Sequence, residues 1–197
     1  MRTLYHALIP GLWLIWLAFW AAAGWRTKPV VRAEGILSRL SHQIPLCLGF
    51  ILLTFRRAGG PLLATRIYPQ TPGSFWIGAA LVTLGLGFAV WARIHLAGNW
   101  SGMVTLKQDH SLTRSGPYRL VRHPIYTGLL VAILGSAVAE AEWRGLVAVV
   151  LFAIAFLRKI EIEERFLVAQ FGDAYTRYRA AVPALIPGIS AWHRNDF

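Results

Sequence analysis

With 197 residues, 56% of them hydrophobic and only 15% charged, the chain holds one domain and departs from soluble proteins, in which about a quarter of residues are charged. Nine Trp, ten Phe and six Tyr point the same way, to a bilayer environment. The formal charge of +11 is read as loop Lys and Arg that set membrane topology rather than as a nucleic-acid surface, and the lone Cys47 excludes an internal disulfide framework.

Taken in chain order, Ala7–Trp25 carries no charge and is long enough for a span, at roughly 20 residues per bilayer core. Its apolar part exceeds the roughly 7–15 residues of a secretory leader, so it is read as a retained helix. Ile44–Phe55 is a shorter apolar run behind Arg39, Ser41 and His42. Phe75–Val90 continues through Trp91 and Ala92 to Arg93. Pro124–Ala139 and Trp143–Leu157 are separated only by Glu140, Ala141 and Glu142, which predicts a tight helical hairpin. Trp residues at several of these ends suit the interfacial belt.

Charge sorting discriminates between topologies. Five spans place Arg2, Arg56, Arg57, Arg66 and Arg144 on one side and the other fifteen of the 20 Lys and Arg on the opposite side. Removing the second span changes the division to twelve against eight. The positive-inside rule therefore predicts an all-α integral membrane protein with about five transmembrane helices, the N-terminus outside and the C-terminus in the cytoplasm. Either division leaves Leu96–His123 and the C-terminal tail together on the cytoplasmic side. Residues 1–95 form the N-terminal spans, and residues 96–197 form a motif-bearing half of the same membrane domain. No internal repeat is visible, as an inverted-repeat transporter would require. Gly98 and Gly102 have helix-dimer spacing but flank the polar Asn99-Trp100-Ser101. The C-terminal residues His193 to Phe197 contain no Cys, so the chain is not expected to be prenylated.

Ionisable groups crowd into two segments beside the predicted spans, and such groups mark functional sites by default. The first runs from His110 to Gly128. Gly116-Pro117 marks a turn, and Pro124 suits the first turn of the fourth span, where a missing N–H costs nothing. Arg122 and His123 then stand at the helix mouth, facing the cytoplasm. The second runs from Arg158 to Arg179. It continues the fifth span without a breaker until Gly172, giving a helix of about 40 Å from Trp143 to Phe171. Lys159 and Glu163 share a face at i,i+4, with Glu164 beside them. A carboxylate there suits a cationic ligand group such as an amino group. The same residues also fit plainer roles. Glu161, Glu163 and Glu164 among Arg158, Lys159 and Arg165 fit a solvated ion-paired face, and Tyr118, Tyr126, Tyr175 and Tyr178 fit interfacial aromatics. His6, His42, His95 and His193 have no companions that raise them above background. No zinc pattern and no phosphate-binding Gly-rich loop are present.

Three blocks carry a resemblance: Ser115-Gly-Pro-Tyr118 with Arg122-His-Pro-x-Tyr126-x-Gly128; Glu163-Glu164; and Phe171-Gly-Asp-x-Tyr175-x-x-Tyr178 with Val182-Pro183 and Ile186-Pro187. In order and spacing the chain resembles the isoprenylcysteine carboxyl methyltransferase family, within the wider group that includes phospholipid methyltransferases. The match covers roughly residues 95–189. The resemblance implies a helical membrane fold with a bent cytosolic pocket for S-adenosylmethionine and a lipid-side opening for a lipophilic acceptor. Carried over by position, it implies that His110, Leu112, Thr113, Tyr118, His123, Pro124, Ile125 and Tyr126 line the cofactor pocket, and that Glu163 holds the methionine part. Lys159 falls where prenylcysteine enzymes have a substrate-contacting Arg. That is a departure, because Arg offers a carboxylate a planar bidentate fork and Lys only a point charge.

Arg158, Lys159, Glu164 and Arg122 are the expected catalytic groups. A carboxylate acceptor needs no base, only a cation such as Arg158 or Lys159 to orient it. An amine acceptor needs a proton acceptor, for which His123, Glu164 or a Tyr is available. A lipid-amine N-methyltransferase is thus the nearest alternative. A sterol-reductase-like enzyme using NADPH and a non-catalytic membrane subunit lie further off.

Overall fold

The computed structural model describes residues 2–24, 30–96, 105–107 and 112–188. All five expected apolar helices are present: α1 (Arg2–Gly24), α2 (Ile36–Thr54), α4 (Pro72–Leu96), α5 (Pro124–Glu140) and α6 (Trp143–Phe171). A short α3 (Gly60–Leu63), a 3₁₀ helix (Gly116–Arg119) and α7 (Asp173–Ala181) are the other helices among the described residues. Among the described residues, two helices, α2 and α4, are long and apolar enough to cross a bilayer by length and composition, while the apolar stretches Ala7–Ala23 and Pro124–Glu140 are shorter. The chain is helical and of the integral membrane type. Large apolar side chains face outward along α2, among them Leu37, Ile44 and Phe50, the reverse of a soluble surface.

The second helix begins at Ile36, eight residues before the expected start at Ile44. Arg39, Ser41 and His42 interrupt the apolar run in sequence, but the fold accommodates them. His42 is buried, and Ser41 donates to the Ser38 carbonyl within the helix.

One feature departs from the all-α expectation. Val30–Ala33 (β1) and Thr105–Lys107 (β2) pair as an antiparallel ribbon, with Val30 opposite Lys107 and Ala33 opposite Thr105. The ribbon brings the α1–α2 and α4–α5 connections to one end of the bundle. At the other end, Ile67 donates its backbone N–H to the Ala141 carbonyl, Trp143 donates to Thr65, and Arg56 Nε reaches Glu142 Oε1 at 2.8 Å. The chain therefore alternates ends, with the α2–α4 and α5–α6 connections meeting at one end and the α1–α2 and α4–α5 connections at the other.

Close backbone approach builds the core. Helices α4 and α5 run antiparallel with Gly78 and Gly85 set against Gly135 and Gly128, so that a Cβ at Gly85 would overlap the Gly128 carbonyl and the Ala132 backbone. Small residues let helices meet this way in an apolar medium, where packing rather than water exclusion drives association. On α1, Trp13 Nε1 donates to Ser136 Oγ of α5 at 3.1 Å, and Arg93 Nη2 of α4 donates to the Ala23 carbonyl at 2.6 Å. Helix α6 lies antiparallel to α2. Its Arg144 Nη1 takes the otherwise orphaned carbonyls of Leu52 (2.8 Å) and Leu53 (2.7 Å) at the end of α2, while Glu142 and Glu140 neutralise its charge. Ala141, at φ 57°, closes the α5–α6 hairpin in the left-handed region.

Candidate functional site

The site is assembled where α5 begins and α6 passes out of its apolar half. Pro124 occupies the first turn of α5, and His123 is its N-cap residue, at φ −122° and ψ 61°. The residues before it are fixed by a returning C-terminal segment: Arg122 N–H donates to the Pro183 carbonyl at 2.8 Å, and His123 N–H to Ala184 at 3.0 Å. Thr127 Oγ1 donates to Leu185 at 2.8 Å and extends the same strap.

His123 sits between two carboxylates of α6, with Nδ1 3.5 Å from Glu163 Oε2 and Nε2 3.2 Å from Glu164 Oε1. Burial alone would push its pKa down. Hydrogen bonds to Glu163 and Glu164, and their charges, more than offset that and raise it. Burial also opposes ionisation of Glu163, yet the His123 hydrogen bond, Lys159 and the Tyr126 hydroxyl hold its pKa below the usual carboxylate range. Glu164 is held at about 2, against the cost of burial, by His123 and Arg122. The Glu163 side chain keeps 22% of its surface accessible, whereas Glu164 keeps 11%.

The aromatic wall follows. Tyr126 OH donates to Glu163 Oε1 at 2.5 Å, and its ring stacks on His123 (centroids 5.8 Å apart) and on Phe156 (4.9 Å). Lys159 Nζ lies 5.6 Å from the centre of the Tyr126 ring, within cation–π reach. Tyr118 is buried, its backbone carbonyl accepts the Tyr178 hydroxyl at 2.6 Å, and desolvation raises its pKa.

The expected site residues therefore divide. His123, Pro124, Tyr126, Lys159, Glu163 and Glu164 converge. Arg122 joins them but is committed: its guanidinium takes Glu164 Oε1 (Nε 2.8 Å, Nη2 2.7 Å) and the carbonyls of Arg179 and Val182. Arg122 and Glu164 thus tie α6 to α7 and to the strap rather than facing open space. Arg158 points away, to Glu161 (2.6 Å) and to Ser41 of α2 (3.2 Å). Ile125 packs into an apolar cluster with Ala92 and Tyr118. Leu112 and Thr113 are half-buried on the approach to the 3₁₀ helix. His110 lies outside the described residues.

A pair at the start of α2 escaped the sequence reading. Glu34 and His42 are buried together, with His42 Nε2 3.5 Å from Glu34 Oε1 and Ser38 Oγ donating to Glu34 Oε2 at 2.9 Å. Lys159 and Glu163 are among the charges that act on His42. The signal was available, since Glu34, Ser38 and His42 recur every four residues, the period of one helix face.

Fold and site together define a helical membrane protein with a carboxylate–imidazole–tyrosine cluster at one end of its bundle. The phospholipid methyltransferase family matches residues 74–174, and the chain belongs to that family. It is 31% identical over 125 residues to the cobalt-zinc-cadmium resistance protein CzcN of Cupriavidus metallidurans, covering 59% of this chain and 54% of that protein. It is 36% identical over 104 residues to the protein-S-isoprenylcysteine O-methyltransferase of Schizosaccharomyces pombe, covering 50% of this chain and 43% of that one. The chain thus spans about half the length of these curated relatives. Its fold resembles the eukaryotic intramembrane Ras methyltransferase (isoprenylcysteine carboxyl methyltransferase) at a TM-score of 0.57 and 23% identity, covering 77% of this chain and 53% of that one.

Proposed function

We propose that this chain is a membrane methyltransferase that uses S-adenosylmethionine on a lipophilic acceptor, in the manner of isoprenylcysteine carboxyl methyltransferases. The reading also takes five helices as spanning, with the N-terminus outside and the site facing the cytoplasm. The observation that carries it is the Tyr126–Glu163–His123 cluster, which falls inside the region matched by the family.

The residues fit the cofactor. Glu163 is ionised, steadied on one oxygen by Tyr126 and partly accessible, which suits an ammonium group. The Tyr126 ring face suits a sulfonium. When bound, S-adenosylmethionine supplies an electrophilic methyl group. Glu163 would hold its amino group, and His110, Leu112, Thr113, Tyr118, Pro124 and Ile125 would border the remainder. Arg122 and Glu164 would position His123 and Glu163 by locking α6 against the strap. Alignment and exclusion of water then account for much of the acceleration.

The electrostatics favour an acceptor with no proton to lose. His123 is biased toward its charged form, and Glu164, at about 2, is a very weak base, so neither readily takes a proton near neutral pH. A carboxylate oriented by Lys159 fits these constraints. A lipid-amine acceptor is the second reading, favoured by the family match and by the presence of Lys rather than Arg at position 159. Product analysis after incubation with methyl-labelled cofactor separates them. The account expects label that is released by mild base, as a methyl ester; base-stable label would assign N-methylation instead.

A further inference from the structure

Beside this cluster, against α7, lies an open depression of about 450 Å³ lined by Arg114, Arg119, Arg177, Tyr178, Ala181 and Val182. Its three arginines come from three different segments: the approach to the 3₁₀ helix, the 3₁₀ helix itself, and α7. Four other arginines at this end are neutralised. Arg122 and Arg179 turn to Glu164, while Arg158 and Arg165 share Glu161. Arg114, Arg119 and Arg177 pair with no carboxylate among the described residues. A guanidinium cannot shed its proton, so their mutual repulsion persists until an anion enters.

Part of the depression is already set. Arg114 Nη2 donates to the Ala174 carbonyl at 3.1 Å, and its guanidinium lies 5.9 Å from the centre of the Tyr178 ring. Tyr178 in turn is held by its hydroxyl bond to Tyr118. The surroundings identify the source of the anion. Leu120, next to Arg119, is 47% exposed, and Ile186, four residues beyond Val182, is 58% exposed. Cationic groups beside exposed apolar ones, at the end of a membrane helix bundle, match the level of lipid headgroups. A soluble nucleotide fits less well, because the one aromatic face in the lining is already covered by Arg114.

We propose that this depression is a phosphate-binding site that takes the headgroup of an anionic phospholipid from the surrounding leaflet. The arginine forks recognise the phosphodiester oxygens, and the acyl chains lie along the apolar flank. The proposal does not depend on methyl transfer. Its test uses the full-length protein in zwitterionic detergent micelles, titrated calorimetrically with short-chain phosphatidylglycerol, short-chain phosphatidylcholine and inorganic phosphate. The variant is Arg119→Gln/Arg177→Gln, which leaves the Arg114–Ala174 bond intact and breaks no ion pair among the described residues; an unchanged melting temperature confirms its fold.

The expected result is preferential binding of phosphatidylglycerol over phosphatidylcholine, weakened about thirtyfold in the variant by the loss of two charges next to a phosphate. Inorganic phosphate binding as tightly as the lipid would overturn the lipid source and assign a soluble anion to the site. Equal binding of both lipids without phosphate binding, or an unchanged preference in the variant, would overturn the site itself. If the double variant unfolds, Arg177→Gln alone carries the same comparison with about a fivefold expected loss.

Discussion

At the residue scale, two arginines that look alike in sequence have opposite environments. Arg122 and its partner Glu164 expose only 6% and 11% of their side chains, and Arg122 also holds two backbone carbonyls of the returning chain. Removing one partner from such a buried pair leaves an uncompensated charge. Arg122→Ala is therefore expected to destabilise the protein by about 3–5 kcal/mol. Arg158 and Glu161 are 36% and 49% exposed, and Arg158→Ala is expected to cost no more than about 1 kcal/mol. Denaturant titration in mixed micelles reads both, and equal losses would refute the contrast. His123 adds a pH signature. Its folded pKa is raised, so its contribution is fully present below an unfolded value of about 6.5 and is lost as pH rises through the higher folded value. Glu164 acts in the opposite sense: its contribution is present above an unfolded value of about 4.3 and is lost as pH falls toward about 2. Melting temperature should therefore decline on both flanks, and His123→Gln should flatten the alkaline flank selectively.

Between elements, the contact between α4 and α5 depends on glycines. A methyl group at Gly85 would meet the backbone of α5, whereas one at Gly87, two residues on, meets nothing within 4 Å. Gly85→Ala is expected to destabilise by about 1–3 kcal/mol through overpacking. Gly87→Ala is expected to be neutral, or stabilising by up to about 1 kcal/mol through helix propensity. Similar losses for both would mean that backbone conformation, not contact, governs this interface. The α5–α6 hairpin was legible in sequence because only three residues separate two apolar runs. The start of α2 was not, because Ser38, Ser41 and His42 are polar in composition yet have partners inside the fold.

For the molecule as a whole, hydropathy anticipated the five apolar helices, since it depends on local composition. The ribbon between β1 and β2 was not anticipated, because pairing between residues 30 and 107 leaves no local trace. Within the site, Glu163, Glu164 and Lys159 were readable from helical spacing on one element. The commitment of Arg122 to the strap and the turning of Arg158 toward Ser41 were not, since each depends on a segment remote in the chain.

The central claim is that Glu163 holds a cationic cofactor in this cluster. Its most direct test is calorimetric titration of the detergent-purified protein with S-adenosylmethionine, alongside NADPH and the Glu163→Gln variant. The account predicts saturable binding of S-adenosylmethionine alone, weakened in the variant by roughly ten- to a hundredfold, the effect of removing a charged hydrogen-bond acceptor. Failure of the folded protein to bind it, binding of NADPH instead, or undiminished affinity in Glu163→Gln would contradict the claim.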